Sequence, residues 1–215
     1  EVPGPVAERL TPRIRETAKL LWYVYGLLTL LEIVALLIAG MGPFDSVCHA
    51  FGTMATGGFS NHNASVGGYN SPAVEWILIV FMLLAGANFS LHYLALTGKL
   101  KAYQKDEELR FYLTIIVVSS LLIMAVLFPI HFFDNAHDTV RAAIFQVVSI
   151  ITTTGFGTSD YLEWPPIAHA LLLVLMAVGG CAGSTGGGIK VMRVLILLKH
   201  AKLEMKKMLH PRAIY

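Results

Sequence analysis

Residues 152–157 read Thr152-Thr153-Thr154-Gly155-Phe156-Gly157, and an earlier stretch reads Thr53-Met54-Ala55-Thr56-Gly57-Gly58-Phe59. Laying Thr56-Gly57-Gly58-Phe59 on Thr154-Gly155-Phe156-Gly157 gives an offset of 98 residues. The same shift carries Ala18 to Ile116 and Ala73 to Leu171, in each case from one long apolar run to another. The chain therefore reads as two copies of one unit. In each copy a short helix-like stretch, near 43–51 and 138–151, precedes the Thr/Gly run, and a long apolar run lies on either side.

Working outward, four apolar runs stand at about 18–41, 73–96, 111–128 and 167–198. A hydrocarbon core of roughly 30 Å takes about 20 helical residues to cross, so each run is a candidate span. The whole chain has 215 residues, 55% hydrophobic and 14% charged. Its mean hydropathy is +0.64. That is too little polar surface to cover a soluble globule. The expected fold class is an all-α integral membrane protein of tandem helix, pore-loop, helix units. No cleavable signal sequence is recognised, so insertion is expected to rely on the spans.

Thirteen of the sixteen basic residues fall in three clusters: Arg9, Arg13, Arg15 and Lys19; Lys99, Lys101, Lys105 and Arg110; Lys199, Lys202, Lys206, Lys207 and Arg212. An even number of crossings separates them, so all lie on one side, cytoplasmic by the positive-inside bias. The division that follows is a cytoplasmic segment 1–17, a first unit 18–98, a linker 99–110, a second unit 111–200 and a tail 201–215. The outer loops carry Asp45, Asp134, Asp138, Asp160 and Glu163 but only Arg141 among basic residues. Glu32 and Glu75 are expected near the external ends of their spans, where an unpaired carboxylate is tolerable. Cys48 and Cys181, one in an outer loop and one in a span, are expected to pack and not to pair.

Non-helical backbone at membrane depth leaves carbonyls unsatisfied unless protein, water or a bound ion supplies partners. Glycine reaches backbone angles closed to other residues, so successive carbonyls can aim at one axis, and threonine can add hydroxyl oxygens. Hard oxygen ligands without a carboxylate suit a monovalent cation better than calcium or a transition metal. A preceding helix whose C-terminus points at the ion adds partial negative charge.

Four segments then carry a family resemblance: Ala55-Thr56-Gly57-Gly58-Phe59-Ser60, Thr152-Thr153-Thr154-Gly155-Phe156, Gly179-Gly180-Cys181-Ala182-Gly183-Ser184-Thr185-Gly186-Gly187-Gly188 and His210-Pro211-Arg212-Ala213. In this order and spacing the chain resembles the Trk/Ktr/HKT superfamily of potassium transporters, most closely the bacterial Trk membrane subunits, over essentially its whole length. The resemblance implies four such units around one pore, of which these are the second and third. It implies that Gly57 and Gly155 match the filter glycine of each unit. The implied potassium-binding set is Ala55, Thr56, Gly57, Gly58, Thr153, Thr154, Gly155 and Phe156. It further implies a multi-pass protein of the bacterial inner membrane, a homodimer and a cytosolic nucleotide-binding regulatory subunit. No cofactor, nucleic-acid partner or enzymatic activity is expected. A less selective sodium or ammonium pathway is the nearest alternative.

A straight helix over 167–198 would run about 48 Å, longer than the core needs. Six of the ten residues from Gly179 to Gly188 are glycine, each weakening a helix by roughly 1 kcal/mol relative to alanine. The helix is expected to break there, and the loop, with Gly179, Gly180, Gly183, Ser184, Thr185, Gly186, Gly187 and Gly188, to act as a gate below the filter. Close packing through G-x-x-x-G spacing is the alternative. The corresponding Ala85-Gly86-Ala87-Asn88 is far less glycine-rich, so the break is expected in one unit only. Lys190 and Arg193 would either project toward the pore or snorkel to the cytoplasmic surface, the second being favoured by position.

Three other chemistries fit poorly. A serine hydrolase would use Ser184 with His92 or His169, yet position 182 is alanine where the nucleophile turn needs glycine. Ile189 interrupts a P-loop reading of residues 183–190. His131, Asp134, His137 and Asp138 read as a polar outer mouth more simply than as a metal site.

Overall fold

The computed structural model describes residues 14–209. Arg9 and Arg13, most of the 1–17 segment, residues 210–215 and the His210-Pro211-Arg212-Ala213 motif lie outside the described residues. Within them the fold is all-helical, with one isolated parallel bridge between Val178 and Ile189.

The first unit comprises α1 (Ile14–Ile38), α2 (Pro43–Met54), α3 (Pro72–Gly86) and α4 (Phe89–Leu96), followed by the short linker helix α5 (Lys101–Lys105). The second comprises α6 (Glu107–Leu127), α7 (Ala136–Ile151), α8 (Pro166–Ala177) and α9 (Val191–Leu209). Sequence sets these boundaries locally. Proline opens α2, α3 and α8, where its missing N–H costs nothing. Asp106 caps α6 by accepting from Leu109 N–H at 2.6 Å, and Asn88 caps α4 by accepting from Ser90 N–H at 2.9 Å.

Two described helices, over Arg15–Ile38 and Glu107–Ile130, are long and apolar enough to cross a membrane. Their outward faces carry Trp22, Leu30, Val117 and Leu121, all exposed, as lipid or further helices require. The short helices α2 and α7 pack against α1 and α6 of their own units. The units interlock because α3 of the first packs on α7 of the second. The main core lies between them and includes Leu78, Met82, Tyr112, Ile123, Val148, Ile151 and Leu172.

Two expectations need correction. The run 73–96 is not one straight helix: α3 and α4 meet at 102° across Ala87 and Asn88. The break is therefore not confined to the second unit. One glycine suffices in the first unit because Asn88 caps the new helix and the carbonyls freed at Ala85 and Gly86 find partners in the other unit's loop. The 98-residue shift also does not hold along the chain, since Pro72 and Pro166, which open equivalent helices, stand closer. The segment between the Thr/Gly turn and the next helix is longer in the first unit, where its 3-10 turn spans Ser65–Tyr69 against Tyr161–Glu163 in the second.

Candidate filter and the loop beneath it

Each short helix ends in the same tight turn. In the first unit Thr56 N–H bonds Thr53 O, and Gly57 and Gly58 N–H both bond Gly52 O, at 2.8 and 3.2 Å. In the second, Thr153 N–H bonds Ile150 O, and Thr154 and Gly155 N–H both bond Ser149 O, at 3.0 and 3.1 Å. Positive φ falls on Thr56 (52°) and Gly58 (65°), and on Thr153 (60°) and Gly155 (88°). A β-branched residue rarely adopts φ in that region, so its recurrence at one point in both units marks an imposed conformation. The turns superpose with a shift of 97, and the counterpart of Gly155 is Gly58, not Gly57. At Gly58 a Cβ would lie 1.8 Å from Thr154 O, whereas at Gly57 its nearest neighbour would be the Phe59 ring at 3.4 Å.

Folding the amides back onto the helix end leaves the carbonyls of residues 56–58 and 153–155 without a hydrogen-bond donor among the described residues. Such oxygens need water or a cation as partner. Phe156 differs from the expected set, because its carbonyl accepts from Ser149 Oγ at 2.6 Å and its ring is buried. That ring stacks on His49 of α2 at 5.5 Å and touches the Gly52 position. The threonine hydroxyls brace the turns instead of adding free ligands: Thr152 and Thr154 hydroxyls bond each other at 2.8 Å. Behind the first turn, His49 Nδ1 donates to Asp45 O at 2.8 Å, leaving Nε2 to accept from Ser60 Oγ at 3.0 Å. Asp45 itself accepts from Asn61, the largest cause of its carboxyl being held below the ordinary range. The roles of His49 and Ser149 went unrecognised in the sequence, where neither has a motif.

The glycine loop separates α8 from α9. Its two legs run so close that a Cβ on Gly179 would lie 1.8 Å from Gly187 O, a spacing only glycine allows. The α3 break is its cradle: Cys181 N–H and Thr185 N–H bond the carbonyls of Gly86 and Ala85 at 2.8 and 3.4 Å, and Phe89 N–H bonds Gly183 O at 3.1 Å. Toward the filter, Gly187 N–H donates to Thr153 Oγ1 at 2.7 Å and Thr56 Oγ1 donates to Thr185 O at 3.1 Å. Toward α6, Ala182 and Met192 N–H both donate to Glu108 Oε1, at 2.6 and 3.1 Å. Lys190 folds back to donate to Gly186 O, while Arg193 is exposed.

The two outer carboxylates also depart from expectation. Glu32 is fully buried, and neither oxygen has a hydrogen-bond partner among the described residues. Glu75 accepts from Arg141 at 2.7 Å, and Arg141 also holds Asp138 at 2.8 Å, so the pair ties α3 to α7. Both cysteines are free, Cys48 on α2 and Cys181 in the loop. Ser184 Oγ donates to Cys181 O at 2.7 Å. His92 is occupied by Tyr103 and Leu84 O, and His169 Nε2 by Tyr161 O, so neither is paired with Ser184 as a base.

An all-helical protein with membrane-crossing helices and paired Thr/Gly turns is the class that this fold defines. The chain belongs to the TrkH family, cation transport proteins, whose profile matches residues 5–215. It is 46% identical over 219 residues to the Trk system potassium uptake protein TrkH of Vibrio parahaemolyticus, covering 100% of this chain and 45% of that protein. To the TrkH of Escherichia coli K12 it is 44% identical over 217 residues, again 100% of this chain and 45% of the relative. The E. coli K12 protein TrkG, of the same named system, is 39% identical over 216 residues, covering 100% and 44%. The crystal structure of the potassium transporter TrkH from V. parahaemolyticus matches with a TM-score of 0.91 at 45% identity, covering 96% of this chain and 45% of that one. The chain thus spans about half the length of the relatives it matches.

Proposed function

We propose that these residues form two of the four pore units of a potassium uptake protein in the bacterial inner membrane. Potassium sheds water and is held by carbonyls of Thr56, Gly57 and Gly58 from one unit and Thr153, Thr154 and Gly155 from the other, while the Ala55 carbonyl takes the Thr56 hydroxyl and braces the first turn. Phe156 holds the second segment in place. The remaining units come from the same polypeptide. Two such proteins pair in the bilayer, and a cytosolic nucleotide-binding subunit regulates them. The observation that carries this reading is the repeated turn, in which two threonines and two glycines at positive φ turn the amides back and leave the carbonyls free.

The glycine loop is the gate. What supports this is its direct seat on both turns, through Thr153 and Thr56. Helix packing alone does not require a loop bonded to the filter.

Rubidium uptake into vesicles holding the full-length protein tests both parts. Gly155→Asp is expected to abolish uptake while insertion is retained, and selective uptake surviving in that variant counts against the filter. Deleting residues 179–188 is expected to give unregulated flux, and flux that stays regulated sinks the gate. Sodium competing equally with rubidium would favour the less selective pathway.

A further inference from the structure

The acidic run Asp106-Glu107-Glu108 at the start of α6 divides three tasks. Asp106 caps the helix, and exposed Glu107 pairs with Lys199 of α9. Glu108 points inward and is only 3% exposed. Its single oxygen Oε1 takes the N–H of Ala182, on the first leg of the glycine loop, and of Met192, in the first turn of α9. A carboxylate accepting backbone amides makes strong, short bonds, and its place in the first turn of α6 favours negative charge there. The backbone already joins the first leg to α9 once, through Val191 N–H on Gly180 O at 3.2 Å, and Glu108 adds the side-chain tie between Ala182 and Met192.

We propose that Glu108 is the latch of the gate: it clasps the loop to the first turn of α9 and holds both beneath the filter. The proposal rests on the reading of the loop as a gate. α9 continues from that first turn to Leu209 with a strongly basic far end, Lys199, Lys202, Lys206 and Lys207. A displacement of α9 applied from the cytoplasm would pull Met192 and, through the shared Oε1, draw Glu108 away from Ala182 and so loosen the loop. Glu108 is thus a positioning residue, acting on ions only through the loop.

The test uses the full-length protein with its regulatory subunit, reconstituted into vesicles, with rubidium as the probe ion. Glu108→Asp keeps the charge but loses a methylene of reach, and Glu108→Ala loses both. Each is expected to raise resting, unstimulated flux on the order of tenfold, as the loss of a charge-assisted bond implies. Glu108→Gln keeps a carbonyl oxygen in place but loses the charge, so it should raise resting flux by less than either, about threefold. The rubidium to sodium ratio should be the same in all three. Amide exchange at residues 182 and 192 should quicken about tenfold in the Asp and Ala variants and about threefold in Gln.

Unchanged resting flux and exchange in the Asp and Ala variants, with deletion of 179–188 still raising flux, would overturn the latch and leave the gate standing. An altered ion ratio, or failure of both variants to assemble, would also overturn it by making Glu108 a support of the filter or fold. Regulated flux after loop deletion would instead sink the gate reading itself.

Discussion

Phe59 and Phe156 each follow the positive-φ glycine that ends the turn of their unit, yet Phe59 is 83% exposed and Phe156 is 1% exposed. The turns before them are alike, so the difference comes from what lies behind. Phe156 rests on His49 and Gly52, which belong to the short helix of the preceding unit. The second unit's turn is therefore held both by its own α7, through Ser149, and by the neighbouring unit's short helix. Phe59 displays the surface that such a neighbour would cover.

The strongest way to break the likeness of the two turns is at their glycines. Gly58→Ala sets a methyl against Thr154 O and forces a positive φ on alanine, moving both segments at once. Rubidium uptake by the full-length protein should fall about a hundredfold, as misplacement of an aligned site by an ångström can cause. Gly57→Ala meets only a side chain and should leave uptake within about threefold. Equal loss in both variants would restore the shift of 98 and refute the pairing of Gly58 with Gly155.

The contrast between the phenylalanines is sharpened by truncating each. Phe156→Ala should cost about 3–5 kcal/mol in unfolding of the full-length protein in detergent, the usual range for a buried aromatic. If a preceding unit covers Phe59, Phe59→Ala should cost nearly as much there. A cost for Phe59→Ala below about 0.5 kcal/mol, typical of an exposed site, would show that the two units are finished differently.

The repeat, the short helices and the glycine break were legible because each depends on local composition. The register was missed by one residue because the doublet Gly57-Gly58 offers two alignments to the single Gly155, and only backbone angles choose between them. The bend after Gly86 gives a weak local signal, since the loop that takes up its free carbonyls lies in the other unit. Glu108 and Arg141 were unreadable for the same reason: their partners are far along the chain, at Ala182 and Met192 and at Glu75. Contacts between residues so far apart in the chain, within a unit for Glu108 and across units for Arg141, leave no spacing to recognise.

Arg141 offers a smaller test of that pairing. Its side chain and that of Glu75 are 17% and 10% exposed, so the bond between α3 and α7 is largely shielded. Arg141→Met should cost about 1–3 kcal/mol of stability by leaving Glu75 unpartnered. Glu75→Gln together with Arg141→Met should recover part of it, because the unpaired charge is then removed. A double variant as unstable as Arg141→Met alone would mean that the guanidinium acts through Asp138 and not across the units.

The smallest expected effect separates the two turns as seats for the loop. Thr153 accepts from a backbone N–H, that of Gly187, whereas Thr56 donates to a carbonyl, that of Thr185, and shares its proton with Ala55 O at 2.7 Å. An orphaned N–H is costlier than a carbonyl that loses one donor, since the oxygen has a second lone pair and is more often tolerated under-satisfied. Valine in place of either threonine keeps the branched shape and removes only the bond. Thr153→Val should therefore raise resting rubidium flux about fivefold and Thr56→Val less than about twofold, from losses near 1 kcal/mol and below. The reverse order would mean that the loop leans on the first unit's turn, and that the second unit's bond is a consequence of the loop's position and not a cause of it.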